Sequence, residues 1–308
     1  MKTSFVIDAH ADGRDALGLL LASRKLDICA VTACYAEGAD LDATPLQQLC
    51  RSLAISTEVA DGSAVPLVYK RSSEDANPFP LAASRTMRPA HGYAWDMIYR
   101  QAKSHPEGIS ILAFGPLTNI AIAIFKYQDL AAMVKEIIIA GGSFSYGDVT
   151  PFAESHAYQD VYAWQAVAQS GIPVTMVGLN AAQSVTPTVT EVETLQPWNM
   201  EVEPMVAAAV SFADEVETLL PAGDWWTAPL KIWREKGLGL PLDLAAAAVA
   251  ASPETATTEQ FHVAIETVST AMYGRTLVDW RFYNPDVKET KVVTAICKNK
   301  IRSLLIEK

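Results

Sequence analysis

The chain has 308 residues, half of them hydrophobic and 19% charged, which is typical of a globular protein with a large core. Its formal net charge of -11 argues against nucleic acid as a partner, because acidic surfaces repel phosphate. No apolar run approaches the ~20 residues of a membrane span or the apolar stretch of a signal peptide, so we expect a cytoplasmic protein without a membrane partner.

Short apolar runs alternate with amphipathic segments along the first two thirds of the chain. The apolar runs predict strands at residues 4–7, 28–35, 65–70, 109–114, 136–140 and 173–178. The amphipathic segments predict helices at 15–23, 44–59, 116–127 and 160–170. Because fully apolar strands need cover on both faces, the pattern predicts an α/β fold with a mostly parallel central sheet and helices on both faces. We expect one domain over residues 1–308.

The remaining third of the chain has a different character. Residues 186–239 show weaker periodicity, and we expect helices and loops there that cover the ligand-binding edge of the sheet. The segment contains Trp198, Trp225, Trp226 and Trp233. Trp225 and Trp226 could stack on a base or close a lid, or they could pack in the core or on the surface. Residues 261–306 are again typical of strands.

The four cysteines form no CxxC pair, and we expect buried thiols in a reducing compartment. They are Cys29, Cys34, Cys50 and Cys297.

Polar residues follow the first predicted strand, and ligands of parallel α/β sheets bind beyond the carboxyl ends of strands. Five ionisable residues occur within eight positions there: Asp8, His10, Asp12, Arg14 and Asp15. A helix cap accounts for one aspartate but not for the whole group. We therefore interpret this turn as part of a functional site.

Polar residues follow two later strands as well. The paired glycines Gly141-Gly142 would let backbone approach a ligand, and Asp148, Glu154 and His156 come after them. Asp243 lies inside an apolar run, where it is either a helix cap or a site ligand.

Four separated and colinear stretches resemble the inosine-uridine nucleoside hydrolase family. Residues 8–15 are similar to its D-x-D-P-G-x-D-D motif, and residues 115–121 are its G-P-L-T-N-I-A unchanged. Gly141-Gly142 with residues 147–156 resembles its G-G and G-N-x-T-P-x-A-E-F-N, and residues 242–246 resemble H-D-P-L-A. The resemblance covers nearly the whole chain. It implies the nucleoside-hydrolase fold, cleavage of N-glycosidic bonds in purine or pyrimidine salvage, a bound calcium ion, and a homodimer or homotetramer.

The resemblance carries over to individual residues. Asp15, Asp243 and the backbone carbonyl of Phe114 match metal ligands, Glu154 matches a ribose-binding residue, and His91 matches a histidine near the substrate. Other positions depart from the family pattern. His10 stands where the family has its water-activating aspartate, Arg14 replaces a ribose-binding aspartate, Asp148 and His156 replace two ribose-binding asparagines, and Leu242 replaces a histidine that assists the leaving base in some members.

These departures predict a rewired site, with His10, Asp15 and Asp243 as catalytic residues and with substrate bound by Arg14, His91, Asp148, Glu154 and His156. His10 could accept a proton from water, or it could only donate a hydrogen bond to a carboxylate.

Three alternatives are open for metal binding at this site. Calcium is implied by the family. Arg14 could instead replace its charge by pairing with Asp148 or Glu154, in a site without metal. As a third alternative, His10, Asp15 and Asp243 form a nitrogen and oxygen donor set that suits a transition ion better than calcium.

Two functions remain open at this point. One is a hydrolase that cleaves N-glycosidic bonds in nucleosides or related ribosyl compounds with an active site that differs from the family pattern. The other is a non-catalytic relative that binds a small sugar-like or nucleoside-like ligand. Ionisable residues stand at most of the changed positions, which favours the enzyme.

Overall fold

The computed structural model of the chain describes residues 3–12, 14–36, 42–68, 91–184 and 240–306. The segment predicted at 186–239, with its four tryptophans, lies outside these ranges. Among the described helices, none has the length and apolar character needed to span a membrane.

In the described ranges, nine strands form one sheet. They are β1 Ser4–Ala9, β2 Asp27–Ala33, β3 Glu58–Ala60, β4 Ile109–Ala113, β5 Val134–Ala140, β6 Val174–Val177, β7 Ala256–Ile265, β8 Thr276–Asp279 and β9 Glu289–Ile296. The α-helices of the described ranges are α1 Ala16–Lys25, α2 Thr44–Ser52, α3 Ala94–Ser104, α4 Thr118–Lys126, α5 Ser155–Gln159, α6 Val161–Gln169, α7 Leu179–Gln183, α8 Leu242–Ala251 and α9 Lys298–Ile306.

The strand order is β3-β2-β1-β4-β5-β6-β9-β7-β8. Strands β1 to β6 pair in parallel and β9 is parallel to β6, whereas β7 runs antiparallel to both of its neighbours. The prediction of a mostly parallel α/β sheet is therefore confirmed. In this order β2 lies on one side of β1 and β4 lies on the other, so the direction of strand addition reverses at β1. Parallel α/β sheets bind ligands beyond the carboxyl ends of the strands at such a switch point.

Two apolar clusters cover the two faces of the sheet. Successive strand residues point to opposite faces, so Ile7 of β1 packs with α1, α2, α8 and α9, while its neighbour Val6 packs with α3, α4 and α6. Both side chains are fully buried. The sheet thus holds β1 rigidly between two helical layers, with its carboxyl end at the rim.

Two predicted elements were wrong. The helix predicted at 44–59 ends at Ser52, because Ala54 has a left-handed φ of 57° and the chain then continues into the short strand β3. The strand predicted at 65–70 is irregular over its described residues 65–68. Pro66 lies within it and cannot donate to a strand ladder.

Helices α1 and α8 approach each other closely at Gly18. A Cβ atom there would lie 2.8 Å from the backbone carbon and oxygen of Asp243. Because backbone cannot rotate away as a side chain can, we expect Gly18→Ala to lower the free energy of unfolding by about 2–3 kcal/mol. Urea unfolding measures the change. Ser23→Ala, on the same helix, is the control and should change it by less than about 0.5 kcal/mol; equal effects of the two variants would contradict the prediction.

Candidate active site

Asp8 lies near the carboxyl end of β1 and is fully buried. Its Oδ1 accepts hydrogen bonds from Thr32 Oγ1 of β2 at 2.6 Å and from Asn119 Nδ2 of α4 at 2.9 Å. Within the described ranges, its Oδ2 has no hydrogen-bond partner. Burial raises the pKa of Asp8 to about 7, since the two hydrogen bonds offset only part of the lost hydration.

His10 follows β1 and forms a dyad with Asp15, the residue before α1. The Oδ2 atom of Asp15 accepts the backbone N–H of His10 at 2.7 Å and lies 2.8 Å from His10 Nδ1. A carboxylate only accepts hydrogen bonds, so Nδ1 carries a proton, and in the neutral form of the ring Nε2 carries the lone pair. Nε2 is buried and has no hydrogen-bond partner among the described residues. The dyad therefore contains the predicted hydrogen bond to a carboxylate and also leaves one basic nitrogen free.

Gly115 brings the end of β4 against this ring. A Cβ at Gly115 would lie 2.4 Å from Cys34 Sγ and 2.8 Å from His10 Cε1, so only glycine fits between them. Burial raises the pKa of the Cys34 thiol well above its usual range, and the carboxylates nearby raise it further. Cys34 therefore stays a protonated packing group and not a nucleophile.

Asp243, in the first turn of α8, interacts electrostatically with Asp15. It is 7% exposed, and its Oδ2 accepts the backbone N–H of Gly18 at 2.7 Å. Burial raises the pKa of Asp243, and the negative charge of Asp15 adds to the shift. The structure thus brings the three predicted catalytic residues, His10, Asp15 and Asp243, to one end of β1.

Glu154 and His156 approach from the loop after β5. The buried carboxylate of Glu154 caps α5 and accepts the N–H groups of His156 and Ala157, together with the N–H of Gly142 at 2.8 Å. His156 Nδ1 lies 2.8 Å from the carbonyl oxygen of Ala140, which fixes the proton on Nδ1, and its ring centroid is 5.2 Å from that of His10. The two imidazoles are therefore neighbours, each with its Nδ1 held by the protein.

Arg14 does not take the position predicted from its charge. Its guanidinium donates to Asp12 and not to Asp148 or Glu154, and its side chain is 47% exposed. Asp12 is only two residues away on the same turn, so this ion pair forms locally and does not require a distant part of the chain to be held beside Arg14. Asp148 is also exposed, with Ser155 Oγ at 3.3 Å. The predicted pairing of Arg14 with Asp148 or Glu154 is therefore wrong.

We expect Arg14→Ala to change the free energy of unfolding by less than about 1 kcal/mol, because exposed ion pairs are screened by water. Urea-induced unfolding at low salt and at about 0.5 M salt, which screens exposed charges, measures the change. A loss above about 3 kcal/mol would show a buried role for Arg14 and contradict the pairing with Asp12.

His91 is held at the same rim by a residue that the sequence did not single out. Asp61 follows β3 and is 4% exposed. Its carboxylate accepts the N–H of His91 at 2.9 Å and the N–H of Ala43 at 3.0 Å, and it lies 3.2 Å from His91 Nδ1. The wrong helix prediction through residue 59 hid Asp61. Thr32 and Asn119, the partners of Asp8, were likewise missed, although each is a polar residue in an apolar run.

The surroundings of Asp15 and Asp243 depart from a calcium site. Calcium favours several oxygen ligands, but His10 places a nitrogen beside Asp15, and one oxygen of each aspartate, Oδ2, already accepts a protein N–H. Among the described residues, the ligand atoms of His10, Asp15 and Asp243 do not all lie within 4.8 Å of one another, so the alternative transition-ion set does not converge. Within the described ranges, a possible Asp/His metal group with ligand atoms within 4.8 Å of one another lies elsewhere, at Asp42, Asp61 and His91.

Comparisons with known proteins agree along the whole chain. A family model described as inosine-uridine preferring nucleoside hydrolase matches residues 5–303. The pyrimidine-specific ribonucleoside hydrolase RihA of Salmonella paratyphi A is 26% identical, over 100% of this chain and 98% of the relative.

Solved structures show the same fold. A plant nucleoside hydrolase, PpNRh1, has a TM-score of 0.73 and 21% identity, over 100% of this chain and 98% of its own. A purine-preferring ribonucleoside hydrolase from Gardnerella vaginalis has a TM-score of 0.72 and 20% identity, over 99% of this chain and 97% of its own. The predicted fold and the prediction of an enzyme that acts on N-glycosyl compounds are confirmed, and the non-catalytic alternative is not favoured.

Proposed function

The chain belongs to the family of inosine-uridine preferring nucleoside hydrolases, and on this premise we propose that it hydrolyses ribonucleosides with His10 as the base that activates water. One observation carries the proposal: His10 is fully buried, its Nδ1 is 2.8 Å from Asp15, and its Nε2 has no hydrogen-bond partner in the described part of the chain. A neutral imidazole held in this way is ready to accept a proton.

The reaction replaces the C1′–N bond of the nucleoside by a C1′–O bond. As the C1′–N bond breaks, its electron pair leaves with the base and the sugar becomes an oxocarbenium-like cation. Water attacks C1′ and gives a proton to Nε2 of His10. Asp15 stabilises the imidazolium that forms through the bond to Nδ1, as the carboxylate does in other histidine dyads.

The remaining predicted residues have supporting roles in this proposal. Asp243 adds negative charge beside Asp15, which favours the cationic transition state. The substrate-binding group stays a prediction and consists of Arg14, His91, Asp148, Glu154 and His156. The carboxylate of Glu154 already accepts hydrogen bonds from the start of α5 and from the N–H of Gly142. It would bind the ribose hydroxyls with the lone pairs that these bonds leave free.

We propose further that the reaction needs no calcium, because His10 replaces the family's aspartate with a nitrogen base and one oxygen of each of Asp15 and Asp243 already accepts protein N–H groups. As substrate class we propose purine or pyrimidine ribonucleosides, since the similar proteins are named for both. We also propose that the chain acts as one domain in cytoplasmic nucleoside salvage, as a homodimer or homotetramer.

The test is a substrate screen on the purified protein with inosine, adenosine, uridine and cytidine, each with added calcium and with chelator. We expect free base and ribose to form at equal rates in both conditions. Calorimetric titration of the protein with calcium is the second readout and should show no binding in the micromolar range. Turnover that requires calcium would overturn the metal-free proposal, and no turnover of any ribonucleoside would overturn the proposed function.

A further inference from the structure

A group of metal-ligating side chains lies at the rim of the sheet, apart from the proposed base and the aspartates beside it. Asp42 precedes α2, Asp61 follows β3, and His91 precedes α3. Each offers one ligand atom, and the three atoms lie within 4.8 Å of one another. Side chains from three separate segments therefore converge on one point, which a run of neighbouring acidic residues on a surface does not do.

Hydrogen bonds to the backbone hold this group in place. The N–H of Asp61 donates to the carbonyl oxygen of Gly92 at 3.0 Å, and the N–H of Ala94 donates to the carbonyl oxygen of Asp61 at 2.8 Å. The carboxylate of Asp61 accepts the N–H groups of Ala43 and His91. The end of β3 and the starts of α2 and α3 are thus fixed against one another, so the three side chains need little reorganisation to bind an ion.

The distance between the two inner ligand atoms fits a shared ion. His91 Nδ1 lies 3.2 Å from Asp61 Oδ1, whereas Nδ1 of His10 lies 2.8 Å from the oxygen of its own aspartate. Two ligand atoms on one tetrahedral ion with bonds of about 2.0–2.1 Å lie about 3.3 Å apart. Asp61 Oδ1 has two lone pairs and accepts the N–H of Ala43 with one of them, so the other can bind an ion in place of the His91 proton.

The donor set and its exposure determine the kind of ion. One imidazole nitrogen and two carboxylate oxygens suit zinc and related transition ions better than calcium or magnesium, which prefer oxygen ligands. The side chain of Asp61 is 6% exposed and that of His91 is 23% exposed, while Asp42 is exposed. The group is therefore open to solvent beside Asp42, where an ion can enter and where water can supply the fourth ligand.

We propose that Asp42, Asp61 and His91 bind one zinc-like divalent transition ion per chain, at a site distinct from the proposed catalytic residues. His91 gives the lone pair of Nδ1 to the ion, and the proton that Nδ1 shares with Asp61 is exchanged through solvent to Nε2, so the imidazole stays neutral. The ion joins α2, β3 and α3 at the rim and stabilises the fold. The inference does not depend on the proposed function, because no step of the hydrolysis passes through this ion.

The experiment is a calorimetric titration of the purified, chelator-treated protein with zinc chloride. We expect one zinc ion per chain with a Kd of about 10 μM or tighter. A zinc concentration about 100-fold above this Kd should raise the Tm by about 5 °C. Cobalt(II) is the second probe, because a strong ligand-field absorption band reports a tetrahedral environment that an ion held loosely by surface carboxylates does not have.

Variants test the assignment to these residues. His91→Ala and, independently, Asp42→Asn should each raise the Kd for zinc by at least about 10-fold. Asparagine at position 42 can still accept the N–H of Thr44, which Asp42 Oδ1 accepts at 2.8 Å, so the start of α2 is kept. His105→Ala, directly after α3, is the matched control and should leave the Kd within about twofold.

The outcomes separate the two proposals. The inference is overturned if zinc does not bind at about 100 μM, or if binding is unchanged in both His91→Ala and Asp42→Asn. Loss of zinc binding in His10→Gln together with its retention in His91→Ala would place the ion at the catalytic dyad and would overturn the inference as well. Failure of turnover in the substrate screen concerns the proposed function alone, and failure of zinc binding leaves that function standing.

Discussion

Replacement of His10 by glutamine is expected to lower kcat by about 10²–10⁴-fold, the range that a positioned general base contributes. Glutamine can still donate a hydrogen bond to Asp15 but has no basic nitrogen at the position of Nε2. Steady-state kinetics on the best ribonucleoside of the screen measure the loss. Thermal unfolding of the variant shows whether the fold is kept, which we expect because the side-chain bond to Asp15 can be replaced.

The chain offers a matched control. Among the described residues, His262 on β7 also has a buried ring nitrogen, Nδ1, without a hydrogen-bond partner. Its ring packs against Phe282 at a centroid distance of 4.8 Å. Strand β7 lies near the opposite border of the sheet from β1, away from the proposed site. His262→Gln should leave kcat within about threefold. Imidazole added to His10→Ala should restore part of the activity if the lost group is a base. The loss of one hydrogen bond alone would lower the activity by about tenfold. A His10→Gln variant whose activity stays within about tenfold of the unmodified protein would therefore contradict the role of His10 as a base.

Replacement of Asp8 by asparagine is expected to make the free energy of unfolding less sensitive to pH. The pKa of Asp8 is raised from 3.8 to about 7 by burial. Below the lower value Asp8 is protonated in the folded and in the unfolded chain. Between the two values the folded chain keeps a proton that the unfolded chain has lost, so stability falls as pH rises through this window. Asparagine has no such proton.

The size of this effect follows from the shift in pKa. The stability of Asp8→Asn relative to the unmodified protein should rise by up to about 4 kcal/mol between pH values near 4 and 8, as an order of magnitude. Urea unfolding at the two pH values gives the difference directly. Thr32→Val serves as a comparison because it removes a hydrogen bond to Asp8 and leaves the carboxyl group in place. A difference between Asp8→Asn and the unmodified protein that stays constant with pH would refute the buried, proton-binding state of Asp8.

The sequence allowed the meeting of His10, Asp15 and Asp243 to be predicted, because parallel strands end at one rim and the motifs placed these residues at strand or helix ends. The direction of Arg14 could not be predicted in the same way. A sum of charges over the site does not distinguish one acidic partner of Arg14 from another. The turn places Asp12 within hydrogen-bond distance of the guanidinium, so Arg14 pairs with this residue.

Other parts of the site depend on contacts that sequence patterns do not contain. Asp61 follows a strand of only three residues, too short for a periodic signal. The partners of Asp8 come from β2 and α4, which are 24 and 111 positions away along the chain. The unpartnered oxygen of Asp8 is therefore visible only in three dimensions, although it bears most directly on the charge of the site.

The two borders of the sheet have a consequence for how copies of the chain could assemble. In the described ranges, the border strands are β3 with three residues and β8 with four, so few backbone groups are open to pairing. Long open borders invite strand-by-strand addition of another chain, and short ones resist it. We therefore expect assembly to join side-chain surfaces of helices and loops and not to extend the sheet, which also protects the folded chain against fibrous aggregation.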